Sequence, residues 1–242
     1  MNLIIDVGNS YVKLAVFQNF KIKSRKVCGV EDFIKEFKKI RNEFKNIKKV
    51  IISSVGRLER SQIDVVKIYY DVLCLTHDTK LPFKNFYKTP KTLGVDRMAL
   101  VSASVQQFKN KNVLIIDAGS CITYDFISYK NEYYGGAISP GIRLRYQSLH
   151  NLTANLPLLE SKIPKDIIGD STASSIHSGV QFGIINEIDG VIDTYKQKHV
   201  DLTIILTGGD TDFLSKQLKN GIFANSNFLL EGLNFILEFN SN

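Results

Sequence analysis

Two hydrophobic rhythms run through this chain, one of period two and one of about 3.6, and together they predict an α/β protein. Residues 2–7 are almost continuously apolar, as in a central strand covered on both faces, and lead into Asp6-Val7-Gly8-Asn9-Ser10. Beyond that turn Val12, Leu14 and Val16 alternate with Lys13, Ala15 and Phe17, so the chain returns as the second strand of a hairpin. A further strand is predicted at 22–27. Phe33, Ile34, Phe37, Ile40, Phe44 and Ile47 recur at helical spacing and predict an amphipathic helix over 31–47. The β-branched run Val50-Ile51-Ile52-Ser53-Ser54-Val55, closed by Gly56, reads as a strand. A shorter helix near 61–70 and a strand at Val72-Leu73-Cys74-Leu75 follow. This order is the layout of a ribonuclease-H-like unit, a mixed sheet with helices on its faces.

The pattern then starts again. Leu114-Ile115-Ile116-Asp117-Ala118-Gly119 repeats Leu3-Ile4-Ile5-Asp6-Val7-Gly8 at an offset of 111 residues, with five of six positions identical. Both copies continue with small polar residues, Asn9-Ser10 and Ser120-Cys121, before returning to a strand-like run. The chain therefore reads as two duplicated halves, 1–110 and 111–242. The first half includes a connector, 81–92, which holds two of the five prolines and reads as an extended loop. In the second half Pro140 suits the first turn of a helix running to about Leu152. A long helical pattern runs from about Thr172 through Ile176, Val180, Ile184, Ile188, Val191 and Tyr195, with either Ser171 or Thr172 as its cap. A buried strand at 202–206, a short helix at 211–218 and an apolar helix at 228–239 complete the chain.

Composition narrows the class. Hydrophobic residues make up 44% of the 242 positions and charged residues 23%, which describes an ordinary globular protein with enough apolar material for a core. No apolar run is long enough to span a membrane. Lys and Arg exceed Asp and Glu, 31 to 24, but much of the excess lies on one face of the 35–49 helix. No nucleic-acid motif accompanies it, so neither nucleic acid nor a membrane is an expected partner. Cys28, Cys74 and Cys121 are widely spaced and odd in number, which points to a reducing cytoplasmic setting rather than a disulfide framework or a zinc site.

The chemistry is carried by carboxylates, glycines and hydroxyls. A strand ending on an acid, a glycine and a hydroxyl makes a turn that can clamp a phosphate and its cation, and this chain has it twice. Lys13 either faces a phosphate or is simply solvated. Leu93-Gly94-Val95-Asp96-Arg97 opens a helix just before the second acidic hairpin. There Asp96 either caps the helix or takes a hydroxyl proton, and Arg97 is able to hold a carboxylate in bidentate fashion. Gly135-Gly136 and Thr207-Gly208-Gly209-Asp210 are read as turns, with or without a ligand.

Taken in order, Asp6-Val7-Gly8-Asn9-Ser10 with Lys13, Leu93 to Arg97, Asp117-Ala118-Gly119-Ser120 with Thr123, Gly135 to Gly141, Thr172 with Ser178-Gly179, and Thr207 to Asp210 resemble type III pantothenate kinases. The matches span residues 3 to 210. That family lies in the superfamily of acetate kinase, sugar kinases, heat-shock chaperones and actin. The resemblance implies two actin-like ATPase domains and ATP-dependent phosphorylation of pantothenate, the first step of coenzyme A synthesis. It implies that Asp6, Val7, Gly8, Asn9, Ser10, Tyr11, Val12 and Lys13 form the first phosphate loop, with Ser120 reaching ATP from the second. Asp6 would help place Mg2+, and Asp117 would bind K+ or NH4+. Asp96 would be the proton acceptor, while Tyr87, Gly94, Val95, Arg97 and Thr172 would line pantothenate. The family also implies a homodimer with the site completed at the interface. Ser171 and Ser175 depart from the family pattern around Thr172. A non-catalytic regulatory or accessory relative is the alternative, and retention of Asp6, Asp96, Arg97 and Asp117 argues against it.

Overall fold

The computed structural model describes residues 1–8, 11–54 and 58–241. Asn9 and Ser10 of the first turn, and Val55 and Gly56 at the end of the β-branched run that starts at Val50, lie outside them. The chain forms two compact units: residues 1–109, 131–133 and 227–242 make the first, residues 110–130 and 134–226 the second.

The first unit opens with β1 (Asn2–Val7), β2 (Val12–Gln18) and β3 (Lys21–Cys28), then α1 (Phe33–Glu43), β4 (Lys49–Ser54), α2 (Arg60–Lys67) and β5 (Asp71–Cys74). The connector carries the two-residue β6 (Lys84–Asn85) and a 3-10 turn at Pro90–Thr92, and leads to α3 (Val95–Gln107). The second unit contains β7 (Asn112–Ala118), β8 (Cys121–Ile127), most of β9 (Glu132–Pro140), α4 (Ile142–Asn151), α5 (Thr172–Lys198), β10 (Leu202–Thr207), α6 (Thr211–Leu214) and β11 (Phe223–Ala224). The last helix, α7 (Phe228–Phe239), returns to the first unit.

The first sheet has the order β3-β2-β1-β4-β5, with β1 antiparallel to β2 and parallel to β4. Strand alternation divides its residues. Leu3, Ile5, Val7, Leu14, Val16, Val50 and Ile52 share one buried core with Phe33, Phe37 and Ile40 of α1 and Val66 of α2. Asn2, Ile4 and Asp6 therefore point to the opposite face, where α7 packs on β1 and β4 and α3 packs on β4. The Asn2 amide donates to Asn234 at 2.8 Å and to Glu238 at 2.6 Å, which ties α7 to the start of β1. α7 also lies tight on α3: a Cβ at Gly232 would sit 1.9 Å from the Ala99 carbonyl oxygen. The edge strand β3 carries Lys21, Lys23, Arg25 and Lys26, and such charges discourage edge-to-edge pairing with another chain.

The second sheet has the order β11-β10-β7-β8-β9-β6, and the β9 residues that pair with β6, Glu132 and Tyr133, belong to the first unit. Leu114, Ile116, Ala118, Ile122, Tyr124, Ile204 and Leu206 pack against Tyr146 of α4 and Ile176, Ile184, Ile188 and Ile192 of α5. Asp117 has the opposite parity and emerges on the other face.

Three local expectations change. The predicted 31–47 helix stops at Glu43, because Phe44 leaves helical geometry and the chain turns so that Lys48 N–H can reach the Met1 carbonyl at 2.9 Å and start β4 beside β1. Phe44 and Ile47 still contribute to the core. The glycine-rich stretch is strand rather than turn through residue 140, and Pro140 ends β9 instead of starting a helix; Gly141 is the N-cap of α4. The short helix predicted at 211–218 closes at Leu214, after which the chain continues in single turns.

Candidate active site

In the first hairpin the register sets Asp6 opposite Lys13, the two ends of a pair that period-two alternation puts on one face. Lys13 Nζ lies 3.5 Å from Asp6 Oδ2. Gly8 N–H closes the turn on the Tyr11 carbonyl at 3.0 Å. Asp6 is only 4% exposed, and burial pushes its carboxyl above the usual aspartate range. Lys13 pulls in the other direction, and the negative charge of Asp96 pushes with burial. Asp96 thus shares an electrostatic neighbourhood with Asp6, although 90 residues separate them in sequence.

The helix that carries Asp96 starts with Gly94 as N-cap. Asp96 Oδ1 accepts the Arg97 N–H at 2.8 Å, so the carboxylate covers part of the first turn while remaining half-buried rather than enclosed. Capping and chemistry are compatible in one group. Arg97 is buried at 5% exposure, and its guanidinium carbon lies 5.6 Å from the centre of the Tyr87 ring, within cation–π range. Tyr87 itself stacks on Tyr133 with ring centres 6.2 Å apart. The connector is therefore anchored, by β6 pairing and by this aromatic contact, where an extended loop was expected. Of the predicted residues, Asp6, Lys13, Tyr87, Gly94, Val95, Asp96 and Arg97 all fall in the first unit.

The second hairpin repeats the first with one change. Asp117 on β7 stands opposite Thr123 of β8 and beside Thr207 of β10, so a threonine occupies the position that Lys13 holds in the first copy. The turn after Asp117 is clasped from two directions. Gly208, at φ +99°, is so close that a Cβ would lie 2.2 Å from the Ala118 carbonyl oxygen and 2.5 Å from Asp117 Oδ1, while Asp210 N–H bonds that same carbonyl at 3.0 Å. From the other direction Gly141 N–H donates to the Ser120 carbonyl at 3.0 Å. Glycine at 208 is thus explained by its positive φ and close backbone approach to the acidic turn, whereas a Cβ at Gly209 would meet nothing within 4 Å.

Thr172 lies elsewhere in the second unit, as the first residue of α5. Ser171 is the cap: its hydroxyl accepts the Ser174 N–H. Thr172 lines a cavity of about 690 Å³ together with Arg145 and Leu149 of α4 and Ile176 and Val180 of α5.

Two hydroxyls escaped the sequence reading. Ser53, in register with Asp6 on the parallel strand β4, is fully buried, and its Oγ meets no hydrogen-bond partner among the described residues. Thr123, across from Asp117, is half-buried, but its Oγ1 is likewise buried and meets no hydrogen-bond partner among the described residues. A buried donor without a partner costs about 1–3 kcal/mol, so both are unusual, and both lie beside a carboxylate of the repeated turn. The available signal was that each apolar run in register with an acid ends in, or continues through, a hydroxyl residue.

A family model described as type III pantothenate kinase matches residues 2–194, four-fifths of the chain. The chain belongs to the type III pantothenate kinase family. Among relatives in this family, the type III pantothenate kinase of Christiangramia forsetii is 54% identical over 240 residues, covering 99% of each chain. That of Flavobacterium johnsoniae is 50% identical over 233 residues, covering 96% of each. Solved structures agree on the fold: a Baf-family protein from Campylobacter jejuni superposes with TM-score 0.63 at 21% identity over 98% of both chains. A glucokinase from an Antarctic psychrotroph does so with TM-score 0.52 at 9% identity, again over 98% of both. The fold of this type III pantothenate kinase family member is therefore that of the duplicated, actin-like kinases.

Proposed function

We propose that the protein transfers the γ-phosphoryl group of ATP to the hydroxyl of pantothenate, giving 4'-phosphopantothenate at the entry to coenzyme A synthesis. The observation that carries this reading is the grouping in the first unit of the Asp6–Lys13 pair with Asp96 and Arg97 at the start of α3. Phosphoryl transfer needs alignment and charge neutralisation more than covalent chemistry. Asp96 accepts the hydroxyl proton, and Arg97, held by Tyr87, pairs with the pantothenate carboxylate; Gly94 and Val95 shape the same wall. The Asp6–Lys13 turn and Ser120 contact ATP phosphates. A binding-only relative has no use for such a proton acceptor.

The residues fit the expected cations. Asp6 with the buried hydroxyl of Ser53 beside it is a hard oxygen donor set, and Mg2+ in such sites takes one or two carboxylates plus substrate phosphates. When bound, Mg2+ neutralises phosphate charge. Asp117 with the Thr123 hydroxyl offers oxygen donors and no opposing lysine, which suits a monovalent cation such as K+ or NH4+.

The test is purified protein with ATP, Mg2+, K+ and pantothenate, with ADP and phosphopantothenate both measured. Product is expected, and replacing K+ by Na+ lowers the rate at least tenfold. No phosphopantothenate above a blank sinks the kinase reading, and indifference to K+ sinks the role given to Asp117 and Thr123.

The working form is a homodimer, with the second copy completing the site near Thr172. Supporting this, Leu152, Leu158, Ile163, Ile167 and Ile168 are all exposed in the segment between α4 and α5, next to the cavity that Thr172 lines. Analytical ultracentrifugation at micromolar concentration is expected to give twice the chain mass, and a purely monomeric species refutes it. Three free cysteines accord with work in a reducing cytoplasm.

A further inference from the structure

Glu187, near the middle of α5, collects donors from three other elements. Its Oε1 accepts the Tyr124 hydroxyl of β8 at 3.0 Å and the Ser139 hydroxyl of β9 at 2.5 Å, and its Oε2 accepts Arg145 Nη2 of α4 at 2.5 Å. Arg145 also donates from Nε to the Pro140 carbonyl at 2.9 Å, and its backbone N–H bonds the Gly141 carbonyl at 3.1 Å. The Ser139 hydroxyl and the Pro140 carbonyl are each held by a side chain of this pair, and Gly141 follows directly as the N-cap of α4.

The held segment is the one that touches the second acidic turn. Gly141 N–H donates to the Ser120 carbonyl at 3.0 Å. A Cβ at Gly141 would lie 2.0 Å from the Gly119 carbonyl oxygen and 2.6 Å from that of Ser120. With two backbones in such contact, a shift of 139–141 must move Gly119 and Ser120 as well. The pair's side chains are 20% and 30% exposed, so its Coulomb attraction is screened, and its value lies in charge-assisted hydrogen bonds of fixed direction. Partial burial would push the Glu187 carboxyl up, but Ser139, Arg145 and Tyr124 outweigh it and hold the group below its ordinary range. Glu187 therefore stays an acceptor throughout the neutral range. Deprotonation of Tyr124 is suppressed by burial and by that same carboxylate, which keeps its hydroxyl a donor.

We propose that Glu187 and Arg145 are positioning residues for the second phosphate turn, bracing 139–141 so that Gly119 and Ser120 are presented to ATP in one geometry. This rests on the reading that Ser120 contacts ATP. Glu187→Gln is nearly isosteric, but its single oxygen serves only one side: kept toward Tyr124 and Ser139 it sets an amide N–H2 against Arg145, and turned toward Arg145 it leaves an N–H2 where those two hydroxyls need an acceptor.

Three quantities separate the brace from a merely structural staple: hydrogen exchange at the Gly141 amide, calorimetric affinity for the Mg2+ complex of a non-hydrolysable ATP analogue, and KM for each substrate. In Glu187→Gln the Gly141 amide is expected to exchange at least tenfold faster. The analogue Kd and the KM for ATP rise about tenfold, and the KM for pantothenate stays within twofold. Glu187→Asp, which keeps the charge on a shorter stem, restores part of the ATP affinity. A variant with wild-type exchange and wild-type ATP affinity, even with a lowered Tm, overturns the proposal. If the wild type itself fails to bind the analogue, the ATP reading of Ser120 falls and takes this proposal with it; if the wild type binds and the variant binds equally well, this proposal falls alone.

Discussion

Asp96→Asn is expected to lower kcat by about 10²–10⁴-fold with little change in the KM for pantothenate. The substitution keeps the shape of the side chain and an oxygen able to accept the Arg97 N–H, a bond of 2.8 Å that helps seat the first turn of α3. What disappears is the ability to take a proton from the attacking hydroxyl. Helix position, Arg97 and the Tyr87 contact should survive, so Tm is expected to stay within a few degrees of wild type. Steady-state kinetics with each substrate varied, plus calorimetric binding of pantothenate, decide the matter. Near wild-type turnover would remove Asp96 from the chemistry and return it to capping alone. Loss of pantothenate binding together with turnover would instead mean that the carboxylate holds substrate.

Asp6→Asn should pull activity and stability in opposite directions. Turnover is expected to fall at least 100-fold, because the phosphate turn loses its only buried carboxylate among the described residues of the first hairpin and the fixed negative end of the Lys13 pair. The substrate-free protein should nevertheless become more heat-stable at neutral pH. Burial, reinforced by Asp96, raises the Asp6 carboxyl despite Lys13, so holding it ionised in the folded state costs free energy. The sign follows from the two protonation states. Below the ordinary aspartate range the group is protonated folded and unfolded, and the wild type pays nothing. As pH rises through the raised folded value, the unfolded chain ionises more readily than the folded one, and wild-type stability is lost. The Tm advantage of Asp6→Asn should thus be near zero at about pH 3.5 and largest near pH 7, each recovered kcal/mol adding about 2–4 °C in a chain of this size. Lys13 is 35% exposed and stays hydrated when its partner loses charge. A variant less stable than wild type at pH 7 would show that the ion pair outweighs the burial.

Local patterns carried the strands and most helices, because period two and period 3.6 are properties of neighbouring residues. The 228–239 helix and the central runs at 2–7 and 202–206 match α7, β1 and β10 to within a residue or so, and the opposition of Asp6 and Lys13 follows from hairpin alternation alone. What local pattern does not carry is contact between distant segments. Gly135 to Gly141 looked like a turn because glycine and proline usually punctuate, yet β9 runs on to Pro140, and Gly141 is there to let one backbone meet another. Ser53 and Thr123 show locally only as hydroxyls in otherwise apolar runs, and Glu187 has no local signature. Each gains its meaning from the register or the helix packing that brings it to a turn more than 40 residues away or onto a neighbouring strand. The early end of α1 has the same origin, since only the approach of β4 to β1 requires the chain to leave the helix at Phe44.

The return of α7 to the first unit bears on how the molecule is made. The second unit lies wholly within residues 110–226, interrupted only by 131–133, so it can close while synthesis continues. The first unit, begun at once with β1, lacks the helix that covers β1, β4 and α3 until residues 228–239 have left the ribosome exit tunnel. Until then the sheet face bearing Asn2, Ile4 and Asp6 lacks the helix that packs on β1, and α3 packs on that side against β4 without its neighbour. The half translated first is the half finished last, and damage to the final helix would be felt at the helix that bears Asp96.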